Sequence, residues 1–321
     1  MYTSDELEAA QRIVYAAMPP TPQFAWPLLK ETVGADVWVK HENHTPTGAF
    51  KVRGGLVHMK LRKDRGQVNG VITATRGNHG QSIPFAAKRV GISTTIVAPI
   101  GNSPEKNAAM RALGAELIEI GHDFDAAREA AMQIAKDRGL DFIPSFGKEL
   151  VTGVSTYAHE LFRAAGELDA VYVPIGMGSG ICGTIAARDM MGLKTKVIGV
   201  VAEHANCYAL SWAARRPVTT NEGVSFADGM AVRVPNAEAL GIILNGADHI
   251  VTVSDDEIAD AVRLYFRCCH TIAEGAGAAP LAALMQERDS MAGKRVGVIL
   301  SGGNIDMPKY EAVLAGRTPA P

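Results

Sequence analysis

Two kinds of apolar pattern divide this chain. Short runs of consecutive apolar residues mark strands buried on both faces. Between them lie stretches in which apolar residues recur every three or four positions, the mark of amphipathic helices. Residues 37–40 read as a strand, residues 55–65 as a helix with Leu56, Met59 and Leu61 inward, and residues 70–74 as a short buried strand. A helix over 81–90, a strand over 94–98, a helix from Pro104, a strand over 115–120 and a helix over 123–137 complete a first series. A second series runs helix 152–165, strand 169–173, helix 184–190 and strand 196–201. A less regular segment, 203–236, precedes helices near 255–267 and 275–287 and a strand over 295–300. The first twenty residues read as an acidic amphipathic helix ended by Pro19 and Pro20, followed by an extended stretch to Pro27. Strand–helix alternation predicts an α/β fold of parallel sheets with right-handed crossovers. Two such units, the first series the smaller, are the simplest architecture, with no internal repeat and no low-complexity linker.

Composition narrows the class. The chain has 321 residues, 47% hydrophobic and 21% charged, with a formal net charge of −2. That is ordinary for a soluble enzyme, and the absence of a basic tract speaks against a nucleic-acid partner. No apolar run is long enough to span a bilayer, and the acidic N-terminus is not a signal peptide, so no membrane role and a cytoplasmic location are expected. Cys182, Cys207, Cys268 and Cys269 form no CxxC pair and read as reduced, buried thiols. The nine histidines lack an HExxH grouping, so no metal site is expected.

Chemistry concentrates at four places, each at or just after the end of an expected strand, where ligands bind in open α/β sheets. The first is the turn around Pro46 and Gly48 that leads into Phe50, Lys51 and Val52. Apolar neighbours desolvate an amine, lower its pKa and make it a nucleophile able to form a Schiff base with a carbonyl. An ordinary solvated surface lysine is the competing reading. The second is Gly176-Met177-Gly178-Ser179-Gly180, which follows a strand and opens a helix. Such a loop turns backbone N–H groups toward a phosphate. It lacks the Lys-Ser/Thr of a P-loop, but Gly178, Gly180 and Gly183 overlap a loose GxGxxG, which leaves a dinucleotide open. The others are 75–80 and 301–304. A reactive lysine beside a phosphate cradle suggests pyridoxal 5′-phosphate, an aldehyde with a phosphate arm.

The motifs PTGAFKVRGG, GNHGQS, GMGSGICG and SGGNID occur in that order from about Lys40 to Asp306. Each resembles a motif of the fold-type II pyridoxal-phosphate enzymes, in the threonine/serine dehydratase and serine racemase group. The resemblance implies two parallel-sheet-based three-layer domains: a large cofactor-binding one over 1–59 and 147–321, and a small substrate-side one over 60–146. It implies that Lys51 carries the cofactor and moves protons at Cα, lined by Phe50 and Glu274. Asn78 is implied to face the cofactor's 3′-hydroxyl, Gly176, Met177, Gly178, Ser179 and Gly180 its phosphate, and Ser301 its pyridine nitrogen. Thr75, Arg76, Gly77, Asn78 and His79 are implied to hold the substrate carboxylate. A neutral serine at the pyridine nitrogen makes the ring a weaker electron sink than an aspartate does, which favours prompt loss of a β-leaving group.

The activity implied is an ammonia-lyase performing α,β-elimination on a β-hydroxy amino acid, in a homodimer or homotetramer. An amino-acid racemase with the same cofactor is the alternative, and a dinucleotide-dependent oxidoreductase a remote one. Two positions depart from the family pattern. Arg76 stands where racemase-like members carry a serine, and an always-protonated guanidinium is a poor base. It suits bidentate recognition of a second carboxylate, as in a 3-hydroxyaspartate, or simply faces solvent. Glu203 matches one acidic ligand of a family cation site, but His204 to Ala209 offer no second acid. After Pro321 there is no room for the regulatory domain of biosynthetic dehydratases, so feedback by an amino acid is not expected.

Overall fold

The computed structural model describes residues 1–66, 68–122 and 124–321. Among them ten strands form two sheets. In chain order they are β1 (Gln23–Ala25), β2 (Asp36–His41), β3 (Val71–Ala74), β4 (Thr94–Ala98), β5 (Glu116–Glu119), β6 (Asp141–Phe142), β7 (Ala170–Pro174), β8 (Lys196–Ala202), β9 (His249–Val253) and β10 (Arg295–Leu300). The six-stranded sheet has the order β1-β2-β10-β7-β8-β9 and the four-stranded sheet β5-β4-β3-β6. All pairings are parallel except β1 with β2. The last strand lies centrally: β10 runs in register with β2 from Arg295↔Asp36 to Leu300↔His41, and flanks β7 on its other side.

Both faces of the large sheet are covered, which explains its near-continuous apolar strands. Ala170 and Tyr172 of β7, with Ile198 and Val200 of β8, pack under helices Pro27–Val33, Asp255–Cys269 and Gly275–Gln286. Val171 and Val173, with Val197 and Val201, face helices Lys148–Ala165, Ser179–Met190 and Ala237–Gly246. The small sheet is layered likewise. Ile72 and Ala74 meet Ala127 and Ala131 of helix Phe124–Arg138. Val71 faces helices Ser4–Tyr15, Lys51–Asp64 and Asn78–Arg89.

Several helices begin earlier than their periodicity predicts. The helix expected from Gly55 starts at Lys51, the one expected from Thr152 at Lys148, and the one expected from Thr184 at Ser179. Glycines sit inside these helices where there is no room for a side chain. A Cβ on Gly54 would lie 2.7 Å from the Leu150 carbonyl oxygen, and one on Gly153 2.4 Å from that of Arg53. Helices Pro27–Val33, Cys207–Ala214, Ala237–Gly246 and Met307–Leu314, and strand β9, carry too short a pattern to have been expected. The expected start at Asp123 lies outside the described residues; that helix runs Phe124–Arg138.

Candidate active site

The lysine turn is zipped to the loop that leaves β10. Gly48 holds φ +68°, and a Cβ there would meet the Asn304 side chain at 2.4 Å. Its carbonyl accepts from Gly303 N at 2.9 Å, Phe50 N donates to the Ser301 carbonyl at 2.9 Å, and Ala49 bridges Gly302. Thr45 Oγ1 closes the turn by accepting from Ala49 N at 2.9 Å. Lys51 is the first residue of its helix, and its Nζ donates to Ser179 Oγ at 2.9 Å, 5.0 Å from the Phe50 ring centroid. Burial, with no carboxylate partner among the described residues to offset it, pushes this amine down from 10.5 to about 8.

Ser179 opens a helix of 12 residues that has no side-chain cap, so the first N–H groups point free at the loop. Gly178 holds φ +94°, and a Cβ on Gly176 would lie 2.1 Å from the Gly229 carbonyl oxygen. Bare backbone therefore lines this turn, with the positive end of a helix dipole behind it. The loop is braced from below: Tyr157 Oη donates to the Gly180 carbonyl at 3.0 Å, and Tyr208 Oη to that of Met177 at 3.4 Å.

Asn78 begins helix Asn78–Arg89 and is held at both ends of its amide. Its Nδ2 donates to Glu274 Oε1 at 2.8 Å, and Asn304 Nδ2 donates to its Oδ1 at 2.8 Å and to the Thr47 carbonyl at 2.8 Å. Burial pushes the Glu274 carboxyl up to about 7, more than the Lys106 amine and the Asn78 hydrogen bond pull it down. Thr75 and His79 are buried, and Gly77 N donates to Thr75 Oγ1 at 3.0 Å. Burial and the Lys51 charge hold the His79 ring neutral, its pKa pushed down to about 3, and its Nε2 has no hydrogen-bond partner among the described residues. Ser301 is buried at the end of β10.

The lysine turn and the three strand-end loops thus converge. Lys51 meets Ser179 directly, and the 301–304 loop contacts both the lysine turn and Asn78. Arg76 does not join them: it is exposed and makes no hydrogen bond or ion pair among the described residues. Glu203 is likewise exposed, in the short turn after β8. Sequence reasoning passed over Asn304, although it stands inside the SGGNID motif. It also passed over Lys106, whose stem a Cβ on Gly77 would approach at 3.3 Å. Lys106 pairs with Asp228, and its neighbour Ser103 donates to Asp306 at 2.6 Å, so the mouth is bridged between the two sheets' layers. No local pattern marks such a bridge, because its two sides are far apart in sequence.

The family model described as "Pyridoxal-phosphate dependent enzyme" matches residues 14–302. The chain is 32% identical to an L-threonine ammonia-lyase of Thermotoga maritima over 315 residues, covering 98% of this chain and 78% of that one. It is 30% identical to an L-threo-3-hydroxyaspartate ammonia-lyase of Saccharomyces cerevisiae over 318 residues, covering 99% of this chain and 97% of that one. The solved structure of maize serine racemase superimposes with a TM-score of 0.90 at 25% identity, over 97% of this chain and 96% of that one.

Proposed function

Because the chain belongs to the pyridoxal-phosphate dependent enzyme family, we propose that it is an ammonia-lyase that eliminates the β-hydroxyl of an amino acid. The substrate is threonine, serine or a 3-hydroxyaspartate, and the products are a 2-oxo acid, ammonia and a recycled enzyme. The observation that carries this reading is the Lys51 amine: desolvated, lowered to about 8 and set 2.9 Å from Ser179 at an uncapped helix N-terminus.

The residues present fit the cofactor. Gly178 at φ +94° leads into a helix start with no side-chain cap, which offers bare N–H groups to a phosphate, and the nearest nucleophile is one buried amine. The 176–180 loop would hold the phosphate, Lys51 the aldehyde carbon, Asn78 the 3′-oxygen and Ser301 the ring nitrogen, with Phe50 and Glu274 alongside. When bound, the cofactor withdraws electrons from Cα and makes its proton acidic.

The chain's own groups then divide the work. Lys51, whose lowered pKa of about 8 raises its neutral fraction near pH 7 far above that of an ordinary lysine, takes the Cα proton in that form. Ser179 Oγ accepts from the resulting ammonium and keeps it beside the reacting carbon. The N–H groups of the 75–79 loop, at the start of helix Asn78–Arg89, bind the substrate carboxylate with the help of the helix dipole. His79 stays neutral there and does not compete for the proton. Glu274 and Asn304 fix the Asn78 amide so that only Nδ2 turns to a donor role. The β-hydroxyl departs as water with the proton that the Lys51 ammonium gives back, and the enamine left behind tautomerises and hydrolyses to the 2-oxo acid and ammonia.

Racemisation needs a second base on the other face of Cα. Arg76, standing where racemase-like members carry serine, is exposed and cannot serve. The division into a large cofactor-binding unit (1–59 and 147–321) and a small substrate-side unit (60–146) is part of this proposal, supported by the two sheets. So is a cytoplasmic, catabolic homo-oligomer; no helix among the described residues is long and apolar enough to cross a membrane.

The test is release of 2-oxo acid and ammonia from L-threonine, L-serine and L-threo-3-hydroxyaspartate, with Lys51→Ala alongside. Oxo acid from the wild type, and loss of both activity and the near-UV band of the bound cofactor in the variant, is the expected result. A cofactor band without oxo acid from any of the three sinks the lyase reading. D-serine formed from L-serine as the main product makes the protein a racemase.

A further inference from the structure

We infer that Arg53 is a positioning residue that fixes the spacing between the Lys51 amine and the 176–180 loop. Two residues past Lys51, its guanidinium is fully buried and uses all three nitrogens. Nε and Nη2 grip Glu42 at 2.7 and 3.0 Å. Nη1 and Nη2 grip Glu160 at 2.7 and 2.9 Å, and Nη1 also reaches Thr156 Oγ1 at 2.9 Å. Both carboxylates are themselves buried and further held, Glu42 by Thr21 Oγ1 at 2.5 Å and Glu160 by Lys40 Nζ at 2.5 Å. Two cations therefore balance two anions, and Tyr15 donates to Glu160 from the N-terminal helix at 3.0 Å.

What distinguishes this array from plain core stabilisation is where its far side goes. Thr156 and Glu160 belong to helix Lys148–Ala165. The residue between Ser155 and Ala158 that faces the loop is Tyr157 of that same helix, and it donates to the Gly180 carbonyl at 3.0 Å. A Cβ on Gly183 would meet Ser155 N at 3.1 Å, so the loop's helix also lies against this one. One rigid helix thus carries the amine, through Arg53, and the phosphate cradle, through Tyr157. The start of helix Lys51–Asp64 has no side-chain cap of its own, since its cap residue Phe50 donates and accepts nothing there by side chain. The Phe50 ring instead sits edge-on to Tyr157, with centroids 6.0 Å apart. Arg53 is the polar tie that sets how far Lys51 stands from Ser179.

The inference rests on reading Lys51 as the reactive amine, and its test does not require the substrate to be identified. In the full-length protein freed of cofactor, modification of Lys51 by acetic anhydride is followed against pH, by mass of the peptide that contains it. Titratable groups around that amine are His79, held neutral, and beyond Arg53 the Lys40, Glu42, Glu160 and Tyr15 side chains. Arg53→Lys keeps the charge but cannot span two carboxylates and Thr156 at once. The amine, less tightly enclosed, returns toward the ordinary lysine value of 10.5. Each pH unit of that return cuts its neutral fraction near pH 7 about tenfold, so a fall of roughly tenfold in labelling rate is expected. In the loaded enzyme kcat falls by at least about tenfold, while KM for the amino acid stays within about twofold. An unchanged labelling profile and kcat overturn the inference, however much the melting temperature drops, because that pattern is a structural role only. Where Arg53→Lys shows no cooperative unfolding, Thr156→Val removes one arm alone. It must move the labelling profile in the same direction, and a wild-type profile there overturns the inference equally.

Discussion

Replacing Gly153 by alanine adds one methyl group where two helices touch backbone to backbone. The new Cβ would lie 2.4 Å from the Arg53 carbonyl oxygen, 2.8 Å from Gly54 Cα and 2.9 Å from Arg53 C. None of these is the end of a flexible side chain, so the helices themselves must separate. Ordinary contact begins at 3.4 Å, and 3.4 − 2.4 gives a separation of 1.0 Å. Stability changes little, because two effects oppose each other. Alanine improves helix propensity by about 1 kcal/mol over glycine in a helix interior. Overpacking costs about 1–3 kcal/mol. The net loss is ~0–2 kcal/mol. Turnover is far more sensitive, since the same 1.0 Å lies between Lys51 and the helix that braces the 176–180 loop. A misplacement of about 1 Å in a reacting geometry costs on the order of 10²-fold in rate. Oxo acid release and thermal unfolding, measured on the same preparations, separate the two effects. Gly153→Ala with wild-type turnover refutes the reasoning, whatever its melting temperature.

Two further substitutions probe buried charge. Glu274 titrates near 7 in the folded chain against an ordinary 4.5, so the folded state holds a proton that the unfolded state releases. The stability this contributes is full below about 4.5 and lost as pH rises through 7, a change of up to ~3 kcal/mol. Glu274→Gln fixes the protonated shape, and its urea midpoint should therefore gain on the wild type between pH 5 and 8; parallel curves would rule this out. Burial alone would raise the Glu160 carboxyl, but Arg53 and Lys40 outweigh it and hold it below the usual range. Glu160→Gln leaves two buried cations facing Glu42 alone and should lower unfolding free energy at pH 7 by about 3–5 kcal/mol. A loss under about 1 kcal/mol would mean the array carries no such weight.

Much of the architecture was legible in the sequence because parallel strands buried on both faces announce themselves. Residues 94–98 and 295–300 read as the strands they are, down to the last residue. The start of helix Lys51–Asp64 was not legible because glycine is retained there for close approach rather than for a turn, as at Gly54. Composition cannot separate those two uses of the same residue. Pro27 and Asn236 do mark helix starts, yet the helices there, of seven and ten residues, are too short to establish a period. At the site, Lys51, Asn78 and the 176–180 loop were reachable because each stands in a contiguous motif. Tyr157 acts on the 176–180 loop from outside every motif, and Asn304, though inside SGGNID, takes its role from contacts with Thr47 and Asn78 far away in sequence. Arg53 was in plain view inside KVRGG, but its meaning depends on Glu42 and Glu160, and no local pattern joins those two carboxylates to it.

The central place of β10 has a consequence for how the chain comes into being. Strands β3 to β6 lie close together in sequence, so their sheet can form while synthesis is still under way. The larger sheet cannot. β2 emerges early with only the short β1 beside it, and its other edge stays open until residues 295–300 arrive to fill the gap next to β7. Pairings of such long sequence separation are slow to close. For most of translation the ribosome therefore carries a strand with one edge unpaired, next to a lysine turn that the loop after β10 must later hold still. An unpaired strand of this kind is an invitation to aggregate. The yield of folded protein is thus decided at the last strand made, long after the segment that performs the chemistry has been synthesised.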